Sequence, residues 1–142
     1  MTSTCHVRSA LGAAKGEDVV QYVRIYADDD GESHFEDVDV ALSLVEFAPP
    51  APPLWVSDWK PAERVGFVSG TSGWRGDPHP TPRRQFGVWL SGSTGVQVSD
   101  GEIRIVRAGD VVLWEDTTGK GHTSWHEGDA PPPSVVVVQM PD

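Results

Sequence analysis

HPTPRRQFGVWLSG, residues 79–92, opens on a histidine in a Pro-rich turn and runs into a strand-like segment that closes on Ser-Gly. Side chains alternate across a strand, so register decides what this segment offers. If Gln85 points inward, Arg83, Gly87 and Trp89 do too, while Phe86, Val88 and Leu90 face the other way. A strand apolar on both faces lies between a barrel interior and a second apolar layer, either the N-terminal strands or a dimer partner. A glycine inside a strand marks a close approach. Gly87 either makes room for a neighbouring indole or opens a cavity beside Gln85, walled by Trp89. Arg83 has two readings as well: a partner for a substrate carboxylate at the cavity mouth, or one half of a surface salt bridge.

The rest of the chain reads in the same period. VVQYVRIYAD alternates apolar and polar from Gln21 to Tyr26, and HFEDVDVALSLVEF (34–47) reads as a further extended segment. RVGFVSG, TGVQVSDGE, IRIVRAGD, VVLWEDTTGKG, HTSWHEGD and SVVVVQM follow as short strands separated by turn signals, with SDG (99–101) as a hairpin. VVVV (135–138) reads as a strand buried on both sides or at an interface. No segment carries a helical stripe. APPAPPL (48–54) is an extended connector within one domain. The pattern predicts an all-β antiparallel sandwich or barrel over residues 19–142, preceded by a weakly ordered tail over 1–18.

The spacing of polar residues along this pattern resembles the cupins, which fold as a double-stranded β-helix, or jelly-roll barrel. Their first motif is G-x5-H-x-H-x3,4-E-x6-G. His79, Thr81, Gln85 and Gly92 fall on its first His, second His, Glu and closing Gly, with the x6 spacing kept. The second motif begins on Gly-Asp before a strand and then supplies a His. Here Gly109-Asp110 precedes VVLWED, the loop TTGKG follows, and His122 and His126 come next. Residues 21–142 are similar to a group of small bacterial single-domain cupins, of the HPxPRRQ and EDTTGKGH type, with extended N-terminal strands.

The resemblance implies a metal bound by three His and one Glu, and this sequence departs from that set. Thr81 stands for the second His and Gln85 for the Glu. His79, Gln85 and His122 would hold Fe, Zn, Ni or Mn only loosely, because an amide oxygen brings no charge to the cation. His126, four residues beyond His122 on an extended segment, faces the same side and offers a third imidazole at the edge of reach. The expected cofactor state is none, or a weakly held divalent metal. Without a metal, His79, His122 and Gln85 are the candidate catalytic residues, since imidazole suits proton transfer near neutrality. Arg83, Gly87, Trp89, Trp114, Thr81 and His126 are the candidate substrate-binding residues. Glu115 and Asp116 lie close to His122, and Thr117, Thr118 and Lys120 flank it as small or flexible polar groups. His34, among polar neighbours, reads as a surface residue.

Composition narrows the partners. The 142-residue chain carries a formal net charge of −10, which disfavours nucleic acid and anionic membrane surfaces. GKG lacks the context of a phosphate loop, and DDDGES lacks the later ligands of a calcium loop. No apolar run reaches membrane-spanning length. The N-terminal segment has no secretory core, and the single cysteine, Cys5, fits a reducing compartment, so a cytoplasmic protein is expected. Six tryptophans either fill the core or line a pocket for a flat, apolar or conjugated ligand, such as a secondary-metabolite intermediate. The expected function is that of a small-molecule isomerase, lyase or cyclase, with a metal-dependent oxygenase or lyase and a non-catalytic ligand binder as alternatives. The surplus of apolar strand faces points to a homodimer.

Overall fold

The computed structural model describes residues 20–142. The tail expected over 1–18, with Cys5, lies outside them. Eleven strands and no helix are found among the described residues, as the period-2 pattern requires. A six-stranded sheet has the order β2-β1-β9-β6-β11-β5, and a three-stranded sheet the order β10-β7-β8. In the larger sheet, β1 (Val20–Ala27) pairs antiparallel with β2 (Ser33–Val40) and parallel with β9 (Val111–Glu115). β6 (Gln85–Ser91) runs between β9 and β11 (Ser134–Gln139), and β5 (Arg64–Ser69) forms the edge beyond β11. The smaller sheet joins β7 (Ser93–Val98) to β8 (Ile103–Arg107) through the expected Ser-Asp-Gly turn, and to β10 (His122–Trp125). The architecture is an all-β jelly roll of two facing sheets, with N-terminal strands extending the larger one.

The core occupies one half of the space between the sheets. Val23, Ile25 and Phe35 from β1 and β2 meet Val96, Val98 and Val106 from β7 and β8, with Val112 and Trp114 of β9, Trp89 of β6 and Val135 of β11 completing the cluster. The opposite half, between β6, β11, β5 and β10, is hollow. On the outer face, Phe86 meets Tyr22 edge-on at 5.3 Å, so the second apolar layer behind β6 is supplied there by the N-terminal strands. Arg24 of β1 ties that layer down through Glu36 and Glu115, and Glu115 also receives Arg84.

Two local expectations change. The extended segment 34–47 is broken: β2 ends at Val40, and β3 (Ser43–Val45) pairs with β4 (Leu54–Val56) as a separate two-stranded sheet. The Pro-rich run is therefore the loop of a hairpin rather than an extended connector. The prolines prevent pairing inside the loop, and the flanking SLV and LWV close it. VVVV is an interior strand hydrogen-bonded on both edges, and only Val135 in it is fully buried. Surplus apolar surface sits instead on the β3–β4 arm, with Leu44, Phe47, Leu54, Trp55 and Trp59, and on β5, with Val65, Phe67 and Val68.

Candidate functional site

The hollow half is a cavity of about 490 Å³ between the two sheets, within the usual range for small-molecule sites. Its walls are Trp89 and Trp114, with Val68, Val135 and Val137 of the β5–β11 side, and Trp74, Gly70 and Thr71 toward the mouth. Its polar groups are His79, Thr81, Gln85, Thr94, His122, Ser124 and His126. Among the described residues no Asp, Glu, Lys or Arg lines it.

His122 is set by a buried chain of polar contacts. Its Nδ1 lies 2.6 Å from Asp116 Oδ2, and Thr81 Oγ1 donates to Asp116 Oδ1 at 2.7 Å. The three side chains are almost inaccessible: Asp116 is 0 % exposed, Thr81 3 % and His122 6 %. A carboxylate only accepts, so Nδ1 carries a proton and donates it, and in the neutral ring the lone pair sits on Nε2. The Thr81 amide also bonds the Asp116 carbonyl at 3.0 Å, fixing the 79–81 segment to the start of the β9–β10 loop. Thr81 thus holds the carboxylate that orients His122.

His79 sits beside His122. Their backbones exchange two hydrogen bonds of 3.0 Å, and their rings lie 5.1 Å apart. Gly121 makes this possible. Its φ is +73°, and a Cβ there would overlap the His79 carbonyl, so only glycine lets the two segments come this close. His79 Nδ1 donates to the Asp77 carbonyl at 2.7 Å, and His126 Nδ1 to the Thr71 carbonyl at 3.1 Å. Neutral His79 and His126 therefore also keep their lone pairs on Nε2. The His126 ring packs against Trp74 at 5.0 Å at the rim. His122 lies against the Trp114 ring at 4.6 Å.

Gln85, Gly87 and Trp89 face the cavity as the alternation requires. Gln85 Oε1 accepts from Gln139 Nε2 at 2.8 Å, rather than pairing with His79. Trp89 Nε1 donates to Thr94 Oγ1 at 3.0 Å. A Cβ at Gly87 would come within 2.8 Å of Trp89, 3.3 Å of Val135 and 3.4 Å of Trp114 Nε1, so both readings of Gly87 hold: it makes room for an indole and it opens cavity space. Arg83 does not line the cavity. β6 begins at Gln85, so the alternation does not extend back to Arg83, which forms an ion pair with Glu63. The salt-bridge reading of Arg83 is the one the structure bears out. Of the six tryptophans, Trp74, Trp89 and Trp114 line the cavity, whereas Trp55 and Trp59 lie exposed on or beside the arm.

The metal expectation fits poorly. Among the described residues, no three His, Cys, Asp or Glu side chains are grouped as a metal site. The Gln85 oxygen already accepts a hydrogen bond. His34 is more than a surface residue: it bridges Asp28 and Asp100 at 2.7 Å each, joining the β1–β2 and β7–β8 turns. Those contacts raise its pKa, the Asp28 hydrogen bond first and that to Asp100 second. The sequence sets both Glu115 and Asp116 near His122 without separating them; Asp116 is the one that contacts it. Odd and even positions at the end of β9 were the available signal: Glu115 turns outward to Arg24 and Arg84, and Asp116 inward to His122.

No family model matches the chain, and no curated protein matches it. Solved structures similar to it include the conserved protein SPY1581 of unknown function from Streptococcus pyogenes, with 19% identity, 62% of this chain and 71% of that chain covered, and a TM-score of 0.39. A protein provisionally assigned as the ethanolamine utilization protein EutQ, from Salmonella typhimurium, has 16% identity over 85% of this chain and 95% of that one, with a TM-score of 0.35. A protein provisionally assigned as mannose-6-phosphate isomerase, from Ralstonia eutropha, has 12% identity over 85% of each chain, with a TM-score of 0.34. Among the described residues no helix is long and apolar enough to cross a membrane.

Proposed function

We propose that this chain is a small single-domain cupin that catalyses proton transfer on a neutral, flat, apolar or conjugated metabolite, as an isomerase, or as a lyase or cyclase using the same base. The observation that carries this reading is the buried Thr81–Asp116–His122 chain. It fixes the His122 tautomer and supplies a negative charge behind the ring when Nε2 takes a proton. His79 is the second imidazole, near enough to return a proton at another position of the ligand. Gln85, Trp89 and the Gly87 gap shape the pocket around it, and His126 with Trp74 forms the rim. The uncharged lining supports a neutral substrate, and the single cysteine supports a cytoplasmic setting.

The test uses two bicyclic probes with acidic C–H bonds, 2-tetralone and indene, incubated with the protein in D2O. Deuterium uptake above the buffer rate for either probe, lost in His122→Asn, is the expected result. Quenching of tryptophan fluorescence with no deuterium uptake into either probe would replace this reading with a ligand binder. Uptake abolished by chelator, together with near-stoichiometric metal on elemental analysis, would replace it with a metal enzyme.

We further propose that two copies pair through the arm and the β5 edge. Among the described residues β3 and β4 pair only with each other, and an isolated hairpin is marginal in water. β5 presents an unpaired edge with three exposed apolar side chains, a surface that monomeric proteins usually protect. One chain carrying both an unpacked apolar arm and an open apolar edge suits a two-fold pairing in which each arm covers the other copy's edge.

A further inference from the structure

Trp114 stands out among the buried polar groups of the cavity. Its side chain is 8 % exposed and lines the cavity. Among the described residues its Nε1–H donates to no protein group, whereas the Trp89 indole is satisfied by Thr94. An indole N–H that borders a cavity is open to an acceptor held there. The space beside this one is kept open by Gly87, whose absent Cβ would sit 3.4 Å from Trp114 Nε1. The same indole lies against the His122 ring at 4.6 Å. One unpartnered donor and one oriented base therefore address the same corner of an otherwise uncharged cavity.

We propose that Trp114 Nε1–H is the hydrogen-bond donor for a ligand oxygen, and that the substrate class is an enolisable carbonyl compound carried on a flat apolar frame. The inference rests on the proton-transfer reading of His122. In the step it implies, the His122 Nε2 lone pair takes a proton from the carbon next to the carbonyl. The C–H electron pair becomes the new C=C bond, and the C=O π pair moves onto oxygen. That oxyanion accepts from Trp114 Nε1–H. The π electrons then return, His122 gives its proton back to carbon, directly or after passing it to His79 Nε2, and the carbonyl re-forms, so no oxidant or co-reactant is consumed. The donor acts where charge develops in the transition state, which is where such a hydrogen bond contributes most.

The experiment separates recognition of oxygen from catalysis. 2-Naphthol, a flat mimic of the enol of 2-tetralone, and naphthalene, which lacks the oxygen, are titrated into the wild-type protein, Trp114→Phe, Gly87→Ala and His122→Asn. In 15N-labelled wild type, the Trp114 indole proton should move downfield with 2-naphthol and not with naphthalene, a readout that needs no variant to fold. The preference of 2-naphthol over naphthalene should fall by roughly three- to tenfold in Trp114→Phe, the worth of one neutral hydrogen bond. Gly87→Ala, which narrows the gap but keeps the indole, should reduce it too. Deuterium uptake into 2-tetralone should fall roughly 100-fold or more in Trp114→Phe. An unmoved indole proton, or an unchanged preference in a folded Trp114→Phe, overturns the assignment. If the indole proton moves and the preference falls while wild type shows no deuterium uptake, the donor stands and the proton-transfer reading fails. If uptake occurs and the indole proton stays put, the reverse holds.

Discussion

Asp116→Asn is nearly isosteric yet should be among the most damaging changes to the site. The carboxylate is wholly buried and accepts two hydrogen bonds, from His122 Nδ1 at 2.6 Å and Thr81 Oγ1 at 2.7 Å. An amide has one acceptor end and one donor end, so it satisfies this pair in one of two ways. With its oxygen toward His122, the tautomer survives and Thr81 turns to accept from the amide. The loss is then the charge: a hydrogen bond to an ionised group, worth about 1.5–3 kcal/mol, falls to a neutral one of about 0.5–1.5 kcal/mol. At about 1.4 kcal/mol per decade, that slows imidazolium formation roughly tenfold. With its nitrogen toward His122, the ring must present a lone pair at Nδ1, the proton moves to Nε2, and the base is lost, for a deficit of about 10²–10⁴. Deuterium uptake into 2-tetralone measures the rate, and 15N shifts of the His122 ring report which nitrogen is protonated. The expected outcome is a loss of at least about tenfold, reaching the His122→Asn level if the proton has moved. An Asp116→Asn rate within about twofold of wild type would refute the reasoning. So would a wild-type neutral His122 with its proton on Nε2.

Three other expectations are open to direct measurement. Gly121→Ala should lose more stability than Gly101→Ala by about 1–3 kcal/mol in urea unfolding: both glycines have positive φ, but only at 121 would the new methyl overlap another segment, the His79 carbonyl. Equal losses would show that the close approach of the His79 and His122 segments is soft. The His34 pKa is raised and that of Asp28 lowered by their mutual hydrogen bond. The His34 contribution is therefore fully present below its unfolded pKa of about 6.5 and is lost as pH rises through the raised folded value, while the Asp28 contribution is lost as pH falls through its own lowered value. The Tm advantage of wild type over His34→Gln should be widest at mildly acidic pH and shrink above neutrality; an advantage that grows from pH 7 to 9 would contradict this. Sedimentation of the wild type should give about twice the 15.4 kDa chain mass, and Phe67→Asp, on the exposed β5 edge, should give the single-chain mass. A monomeric wild type at high concentration would exclude the pairing.

Much of the fold could be read from local pattern, and less of the site. Period-2 alternation and turn chemistry gave the strands, and the resemblance to the cupins grouped His79, Gln85 and His122, which line one cavity. Alternation also assigned Gly87 and Trp89 to the interior, because β6 is a regular strand throughout that stretch. It failed at Arg83, which lies before β6 starts and is therefore not bound by its period. It failed again at the Pro-rich run, where loop closure by flanking residues decided the hairpin.

The sequence alone determined that the chain is acidic and patterned for short strands, and its resemblance to the cupins set Thr81 and Gln85 where that family carries two metal ligands. Only the tertiary structure decided what those replacements do. Thr81 and Asp116 are 35 residues apart in sequence, and no local spacing rule relates a turn before β6 to the loop after β9. Their contact exists because the Gly121 backbone lets two chain segments meet at van der Waals distance. The unpartnered Trp114 donor is likewise a property of the assembled cavity, since an indole's partners are set by what packs around it and not by its neighbours in the chain.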